Sequence, residues 1–293
     1  MDLDLGQLRV LSATVDAGTL EGAARVLKVT PSAVSQRLKA LEQATGRVLL
    51  VRSKPVKVTE PGRTVLRLAR ELELLAADTA RELADASSPV VLAVAVNADS
   101  LATWFLPALA PLHDQVLLDL HRADQDHTAA LLRDGTVVAA VTNSATPVPG
   151  CTSTGLGVLR YRPAAVPSFL QQWFANGPTA DALATAPVVH FDRDDDLQRA
   201  WLRRRARGKA DPPAHHVPST EGFVQAVLAG MGWGMISDLQ LADPKLRSAI
   251  VLLDEHDTVD IPLYWQRWKV RSPSMDLLSE TEMTTGRQAL QQH

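Results

Sequence analysis

The sequence predicts a multidomain protein with three parts: a small all-α head with a helix-turn-helix and a hairpin wing, a long linker helix, and a larger α/β domain of two lobes. Three observations predict this fold class. Two short amphipathic helices separated by a tight turn occupy 19–45, one apolar stripe continues over 60–86, and strands alternate with helices after residue 89. The chain of 293 residues, 46% of them apolar and 22% charged, is long enough for two or three compact domains.

Composition limits the class of protein further. The single cysteine, Cys151, has no partner for an internal disulfide or a thiolate metal site, which favours a reducing compartment. Residues 1–15 carry two acids and follow helical periodicity, unlike a signal peptide. No stretch approaches the ~18 consecutive apolar residues that a membrane span requires. We therefore expect a soluble, cytoplasmic protein that needs no cofactor or metal.

The head begins with two amphipathic helices. The apolar residues of the first recur at helical spacing and should form its inner face, packed behind the next two helices. Those of the second recur in the same way until 28–30 interrupt the pattern. The predicted inner residues are Leu5, Leu8, Leu11 and Val15 in the first helix, and Leu20, Ala23, Ala24 and Leu27 in the second.

The third helix has a short, polar outer face. Thr30 suits the N-cap and Pro31 the first helical position, because proline has no N–H to leave unpaired there. Val34, Leu38 and Leu41 share the inner face, so hydroxyls, an amide and cations point outward. Such side chains suit a helix that enters the major groove of DNA. The DNA-binding residues predicted for this helix are Thr30, Ser32, Ala33, Ser35, Gln36, Arg37 and Lys39.

Basic charge is concentrated around this helix. From Arg25 to Arg67 there are ten Lys or Arg residues against two acids, a net charge of plus eight, whereas the whole chain has a net charge of minus three. This polarity favours nucleic-acid binding over a merely solvated helix pair. Residues 47–52 and 56–59 are predicted to form a basic hairpin wing, in which Arg52, Lys54 and Lys57 would contact phosphate or the minor groove.

A long helix is predicted from Glu60 to about Ala86. Its apolar positions alternate four and three residues apart, which is typical of a coiled-coil seam and calls for a partner helix. The alternative is a helix folded onto its own domain. The predicted dimerisation residues are Val65, Ala69, Leu72, Ala76, Thr79 and Leu83.

Strands and helices alternate after a polar, proline-containing hinge at 85–89. The alternation predicts parallel sheets covered by helices. The predicted domains are 1–59 for the head, 60–88 for the linker and hinge, and 89–293 for the α/β domain, with 89–162 and 268–293 in the first lobe and 163–267 in the second. The predicted strands are 90–96, 116–121, 137–142, 164–166, 188–191, 216–217, 233–236, 250–253 and 261–268.

Small molecules bind beyond the carboxyl ends of parallel strands, and three such ends are polar: 97–100, 142–144 and 218–221. Hydroxyls at helix N-termini can hold a carboxylate, and nearby acids can hold an ammonium or a cationic side chain. Each hydroxyl could instead be a plain N-cap, and each acid could simply favour the helix dipole. The candidates are Ser100, Thr142, Asn143 and Thr220, with the acids Asp99, Asp124, Asp192 and Glu221.

Other constellations predict neither a catalytic nor a metal site. His190 and Asp192 lack a nucleophile motif, and His215 with His216 lacks further ligands at metal spacing. The arginines at 203–205 suit a helix C-terminus, and the glycines at 230–234 precede a strand, the wrong order for a dinucleotide loop.

Several segments of the head resemble the amino-terminal signature of LysR-type transcriptional regulators. They are Gly18–Leu20 with Ala23–Ala24, Val29–Ser35 and Leu38–Glu42, and the resemblance extends over the whole chain. It implies a winged helix-turn-helix domain, a linker helix that pairs two subunits, and an effector domain similar to periplasmic binding proteins. The implied partners are promoter DNA, further copies of the chain in a homodimer or tetramer, and RNA polymerase.

Segments 98–109, 150–151, 191–192, 221–225 and 263–265 resemble the lysine- and arginine-responsive branch of that family. This resemblance adds Trp104 to the effector-binding candidates. It implies that lysine, arginine or histidine is the effector and that the controlled gene encodes a lysine or arginine exporter. Two alternatives stay open: a regulator with another effector, such as a different amino acid or a small organic acid, and a solute-binding module or enzyme with an incidental helix-turn-helix.

Overall fold

The computed structural model describes residues 3–83, 89–123, 125–206 and 210–292. Of the predicted hinge at 85–89, only Pro89 falls within these ranges, and the candidate Asp124 lies outside them. Among the described residues, no helix combines the length and the apolar character needed to cross a membrane.

Local sequence signals set the ends of the head helices. Asp4, Thr19 and Thr30 are N-caps whose side chains each accept a hydrogen bond from the first turn, and Gly18 and Gly46 end helices in the left-handed conformation. The predicted helices are confirmed, whereas each wing strand is only two residues long. The elements are α1 (Leu5–Ala17), α2 (Leu20–Leu27), α3 (Pro31–Thr45) and the antiparallel pair β1 (Leu50–Val51) and β2 (Lys57–Val58).

The head has an apolar core of its own. Leu8 and Leu11 of α1 are buried against Val34, Leu38 and Leu41 of α3, as the periodicity predicts. Leu5 is a wrong prediction, since 60% of it is exposed: it is the first residue of α1 and lies at the edge of the helical layer.

One helix, α4 (Glu60–Leu83), leaves the head, and its 24 residues span about 36 Å. Its first turns complete the head core through Val65, Leu66 and Ala69, all buried. At Gly62 the helix contacts the wing so closely that a Cβ atom would lie 2.1 Å from the carbonyl oxygen of Leu49. Only glycine fits there, so α4 begins as part of the head.

The predicted dimerisation seam needs correction at two positions. Val65 and Ala69 are buried against their own head and are therefore unavailable to another subunit. The predicted positions Ala76, Thr79 and Leu83 are exposed. The apolar periodicity of α4 contains two neighbouring faces, and the prediction assigned both to one seam. One face covers the head, and the other faces solvent. The solvent-facing face, called the outer stripe here, comprises Leu68, Leu75, Thr79 and Leu83, whereas the predicted Leu72 is half-buried and packs partly against the head core.

The α/β domain is built on one mixed sheet, which corrects the prediction of parallel sheets. Only β3 with its two neighbours is parallel, and the remaining pairs in this sheet are antiparallel. The order is β10-β6-β11-β5-β3-β4, with β9 also paired to β6. The strands are β3 (Val90–Val96), β4 (Val116–Arg122), β5 (Ala139–Thr142), β6 (Cys151–Ala165), β9 (Gly234–Ser237), β10 (Val251–Leu252) and β11 (Val259–Trp268); β7 (Val188–His190) and β8 (Ala214–His216) form a separate parallel pair.

Helices pack against the strands of this sheet. The first is irregular: α5 (Ala98–Ser100) continues through a π-helical turn, Leu101–Phe105, into α6 (Leu106–Leu109) and the 3₁₀ turn Ala110–Leu112. The others are α7 (Gln125–Arg133), α8 (Pro167–Trp173), α9 (Ala180–Thr185), α10 (Leu197–Arg205), α11 (Thr220–Leu228), α12 (Asp238–Leu241), α13 (Pro244–Ala249) and α14 (Pro273–Ala289).

Two long strands join the two halves of the domain. The first residues of β6 pair with the end of β11, which lies beside β5. The last residues of β6 pair with β9 and β10. The register between β6 and β11 shifts once, between Leu263 and Tyr264, where Leu156 is passed over. Because both strands run through both halves, we call them the crossing strands. The predicted lobe boundary at 162 and 163 remains a prediction, and β6 is continuous across it.

Candidate DNA-binding surface and effector cleft

The outer face of α3 is open to solvent. Ser32, Gln36, Arg37 and Lys39 are exposed, and Ala33 and Ser35 are half-buried. The Thr30 hydroxyl accepts a hydrogen bond from the Ala33 N–H at 3.2 Å, so this side chain caps the helix. The structure thus brings the predicted residues together at the first turns of one helix, with hydroxyls and an amide placed to meet base edges.

The wing is fixed to α3 by an acid that sequence reasoning did not single out. Glu42 Oε1 accepts hydrogen bonds from the N–H groups of Leu49, at 2.8 Å, and Leu50, at 3.4 Å. Arg52, Lys54 and Lys57 are exposed on the hairpin that this carboxylate supports. The helix and the wing are therefore held in one fixed relation.

The cations of this surface take no part in the ion pairs that the described part of the chain shows. Within the described ranges of the chain, no carboxylate forms an ion pair with any of the basic residues predicted to bind DNA. Unpaired surface cations can release counterions when they meet phosphate, which drives binding to DNA. These residues are Arg37, Lys39, Arg52, Lys54 and Lys57.

In the α/β domain, Asp99 joins the two halves across the cleft. It lies in α5, directly after β3, where Asn97 caps the helix by accepting from the Ser100 N–H at 2.8 Å. Asp99 Oδ1 accepts from the Thr220 hydroxyl at 3.1 Å, and Asp99 Oδ2 accepts from the Tyr161 hydroxyl at 2.6 Å. Thr220 opens α11 and Tyr161 lies on β6. One carboxylate thus contacts both predicted lobes and a crossing strand.

A second contact across the cleft involves a cation. The Arg122 guanidinium, at the end of β4, lies 5.6 Å from the centre of the Phe191 ring and donates to the Pro218 carbonyl at 3.5 Å. Neither Tyr161 nor Arg122 was predicted. The strand that carries Tyr161 was missed because two glycines and Pro163 interrupt its pattern, and Arg122 shows no motif in the sequence.

Two candidates beside Asp99 are buried polar groups. Ser100 is fully buried, Trp104 is 4% exposed, and neither the Ser100 hydroxyl nor the Trp104 indole N–H has a hydrogen-bond partner within the described structure. Buried polar groups are normally paired, so unpaired ones require a reason. Trp104 belongs to the π-helical turn, and such turns are frequent at functional sites.

Three candidates line one cavity. Trp104, Thr220 and Glu221 surround a space of about 650 Å³ between the π-helical turn and helices α11–α13. This volume lies within the usual range of small-molecule sites, about 300–1,000 Å³. The wall includes the apolar Val224 and Leu246 and further polar side chains that were not predicted: Thr103, Gln225, Gln240, Asp243 and Lys245.

The remaining candidates have local structural roles in the described residues. The Thr142 hydroxyl accepts from the Ser144 N–H at 3.2 Å, and Asn143 is half-buried beside it. Asp192 Oδ1 accepts from the N–H groups of Asp194 and Asp195, both at 2.9 Å, so this carboxylate shapes its own loop. The structure therefore brings Asp99 and Thr220 into direct contact, but it shows no hydrogen bond that joins Thr142, Asn143 or Asp192 to them.

Known protein families match both the head and the α/β domain of this chain. Residues 5–63 match the model of the bacterial regulatory helix-turn-helix proteins of the lysR family, and residues 87–281 match the LysR substrate binding domain. The chain is 41% identical over 286 residues to the lysine export transcriptional regulatory protein LysG of Corynebacterium efficiens, covering 97% of this chain and 98% of the relative.

Two solved structures extend the similarity to the whole fold. The crystal structure of ArgP from Mycobacterium tuberculosis is 42% identical, with a TM-score of 0.91 and full coverage of both chains. Full-length LysG from Corynebacterium glutamicum with the bound effector Arg is 38% identical, with a TM-score of 0.81, covering 99% of this chain and 100% of that one. With a head, a linker helix and a two-part sensing domain all matched, the chain belongs to the LysR family of bacterial helix-turn-helix regulatory proteins.

Proposed function

We propose that this protein is a transcriptional regulator that binds promoter DNA through α3 and the wing and responds to a basic amino acid, arginine or lysine and also histidine, held between the two halves of its α/β domain. The gene under its control encodes an exporter of lysine or arginine. The observation that carries the effector proposal is Asp99, an acid in contact with both halves of the cleft.

The chemistry of the cleft supports a cationic amino acid. Asp99 and Glu221 offer negative charge to an ammonium or a guanidinium, while hydroxyls and helix N-termini at α5 and α11 offer donors to an α-carboxylate. The names of similar proteins point the same way: one solved relative carries arginine, and another relative is named for lysine export.

The outer stripe of α4 supports a homodimer. Leu68, Leu75 and Leu83 are 37%, 36% and 83% exposed, an apolar row at coiled-coil spacing that a second α4 would cover. Two such dimers would form a tetramer, and RNA polymerase would be recruited at the promoter. A protein of this class acts by binding, so we expect no catalytic turnover.

A ligand screen tests the effector proposal. Thermal unfolding of the full chain is measured with each of the twenty amino acids, since a ligand that binds only the folded state raises Tm. Arginine or lysine should give the largest increase. A larger increase with an unrelated amino acid or with a small organic acid would overturn the effector assignment but not the regulator.

Footprinting of the upstream DNA of candidate exporter genes tests the regulator itself. We expect a protected site whose pattern changes at saturating arginine or lysine. Protection that is weak and indifferent to sequence would overturn the proposal and favour a solute-binding module.

A further inference from the structure

The linker helix α4 contacts its own α/β domain along a polar face, called the inner stripe here. Its members recur four and three residues apart, and each contacts a different part of that domain. Arg63 pairs with Asp134 at 3.1 Å, and Leu74 is buried in the domain core. The inner stripe comprises Arg63, Arg67, Arg70, Leu74, Asp78 and Arg81.

Arg67 grips the point where the two crossing strands meet. Its Nη1 donates to the Pro149 carbonyl at 2.6 Å and its Nη2 to the Gly150 carbonyl at 2.8 Å, directly before β6 begins. The same guanidinium lies 5.2 Å from the centre of the Trp268 ring, the last residue of β11. The Gly150 carbonyl also accepts from the Lys269 N–H at 3.1 Å, so one carbonyl group joins both strand ends to the linker helix.

Asp78 holds the segment that follows β11. It is 5% exposed and accepts hydrogen bonds from the hydroxyls of Ser272 and Ser274, the latter at 2.6 Å. Ser272 is in turn the N-cap of α14. Among the described residues no cation pairs with Asp78, so the two serine hydroxyls hold its carboxylate and fix the position of this segment against α4.

Arg70 ties this arrangement to the head. Its guanidinium donates both to the Gly135 carbonyl of the α/β domain and to the carboxylate of Asp16 in α1. The head, the linker helix and the α/β domain therefore share one contact point. Any displacement of α4 against the crossing strands also displaces the head.

We propose that Arg67 and Asp78 form a latch between the linker helix and the ends of the crossing strands, and that effector-dependent movement of the two halves acts on the head through this latch. The inference rests on the proposed control by a basic amino acid. Tyr161, which contacts Asp99 in the cleft, lies on β6, the strand whose start Arg67 holds. Movement at the cleft therefore has a continuous covalent path to the latch.

The test separates binding from coupling. For the full-length protein, the Kd for the footprinted DNA is measured with and without saturating arginine, and the ratio of the two constants is the coupling. The variants are Arg67→Met, Arg67→Lys and Asp78→Ala. Lysine keeps the charge but cannot span two carbonyls as the arginine fork does, so it should behave like methionine. Arg203→Met is the matched control, because it removes an arginine from an exposed ion pair far along the chain.

The latch predicts that the three variants bind arginine and DNA separately within about threefold of the wild type while the coupling ratio falls to about one. Amide hydrogen exchange at Gly150 and Cys151 should rise in the variants, and the Arg203→Met control should match the wild type in every readout. Wild-type coupling in the latch variants would overturn the latch alone. If the wild type itself shows no coupling to arginine, lysine or histidine, the proposed function fails, and the latch mechanism fails with it.

If Asp78→Ala does not fold, Arg67→Lys decides the outcome, since its side chain is partly exposed and its charge is unchanged.

Discussion

At the residue scale, the side chains that matter most here are polar groups held by a specific neighbour. Glu42 supports the wing, Asp99 spans the cleft, and Asp78 accepts from two serines. None of these contacts follows from hydrophobic periodicity, because each depends on a polar side chain, and those of Asp99 and Asp78 join residues far apart in the sequence. Each contact can nevertheless be removed, and so tested, by substituting one residue.

Gln36→Ala should reduce discrimination between operator and random duplex. Gln36 is exposed on the second turn of α3, and one lost amide contact to adenine costs about 1–3 kcal/mol of discrimination. Competition binding with both duplexes measures it. The control is Gln43→Ala, an exposed glutamine near the end of the same helix, and equal loss in both variants would count against base reading by Gln36.

Asp99→Asn should weaken arginine binding by about 10–100-fold, since hydrogen bonds to a charged group contribute about 1.5–3 kcal/mol. Titration calorimetry gives the Kd. The comparison is Tyr161→Phe, which keeps the carboxylate and removes one of its donors. If Asp99→Asn binds arginine as the wild type does, this acid is not the ligand's partner.

Glu282→Gln should change the pH dependence of stability. Glu282 is fully buried without a partner among the described residues, and burial raises its pKa from 4.5 to about 8. The folded protein therefore holds a proton that the unfolded chain has lost between these two values, so stability falls as pH rises from 4.5 to about 8 and is flat above it. The variant lacks this loss, and its Tm relative to the wild type should rise from pH 5 to pH 8. Parallel Tm curves for the two proteins would contradict the prediction.

At the element scale, α4 has three faces with three uses. At 100° per residue, the outer stripe, the residues that complete the head core and the inner stripe are centred on different sides of one cylinder. Sequence reasoning recognised the helix and its need for a partner, but assigned Val65 and Ala69 to the wrong face. A single apolar pattern cannot separate a face that covers the chain's own head from one that meets another subunit, because both are apolar at similar spacing.

Leu68→Asp combined with Leu75→Asp should convert the protein to a monomer. Both leucines lie on the outer stripe. In a dimer, the new aspartates would lose their water at the interface and repel the aspartates of the second subunit. Sedimentation analysis gives the assembly state, and circular dichroism shows whether the fold survives. Ala80→Asp, on another exposed side of α4, serves as the control. A dimer that withstands the double substitution would rule out this stripe as the interface.

The sheet shows a comparable limit. Continuous apolar strands, such as β3, were predicted to the residue, whereas the first thirteen residues of β6 were missed. Gly155, Gly157 and Pro163 obscure its pattern, and the register shift beside β11 falls between the two glycines. Antiparallel pairing by long crossing strands depends on contacts between segments about a hundred residues apart, which local periodicity cannot reveal.

At the scale of the whole molecule, charge is segregated between the parts. The window from Arg25 to Arg67 has a net charge of plus eight in a chain of minus three, so the remainder is acidic. This distribution orients the head toward DNA and keeps the sensing domain away from it.

DNA affinity should therefore fall steeply with salt, and Lys57→Ala should reduce the slope of log K against log salt by about 0.9, the contribution of one phosphate contact. The association constant measured at several salt concentrations between about 50 and 200 mM gives this slope. Lys245→Ala, on the sensing domain, should leave the slope unchanged. Equal slopes for Lys57→Ala and the wild type would remove the wing from the phosphate contacts.

The close fit of Gly62 beneath the carbonyl of Leu49 has a practical consequence for protein engineering. The head and α4 therefore form one rigid unit, because their junction leaves no room for a side chain at residue 62. Biosensor chimeras that exchange DNA specificity between relatives should therefore transplant 1–83 as one cassette. A splice at residue 59 would place α4 of one protein against the wing of another, where the close contact need not fit.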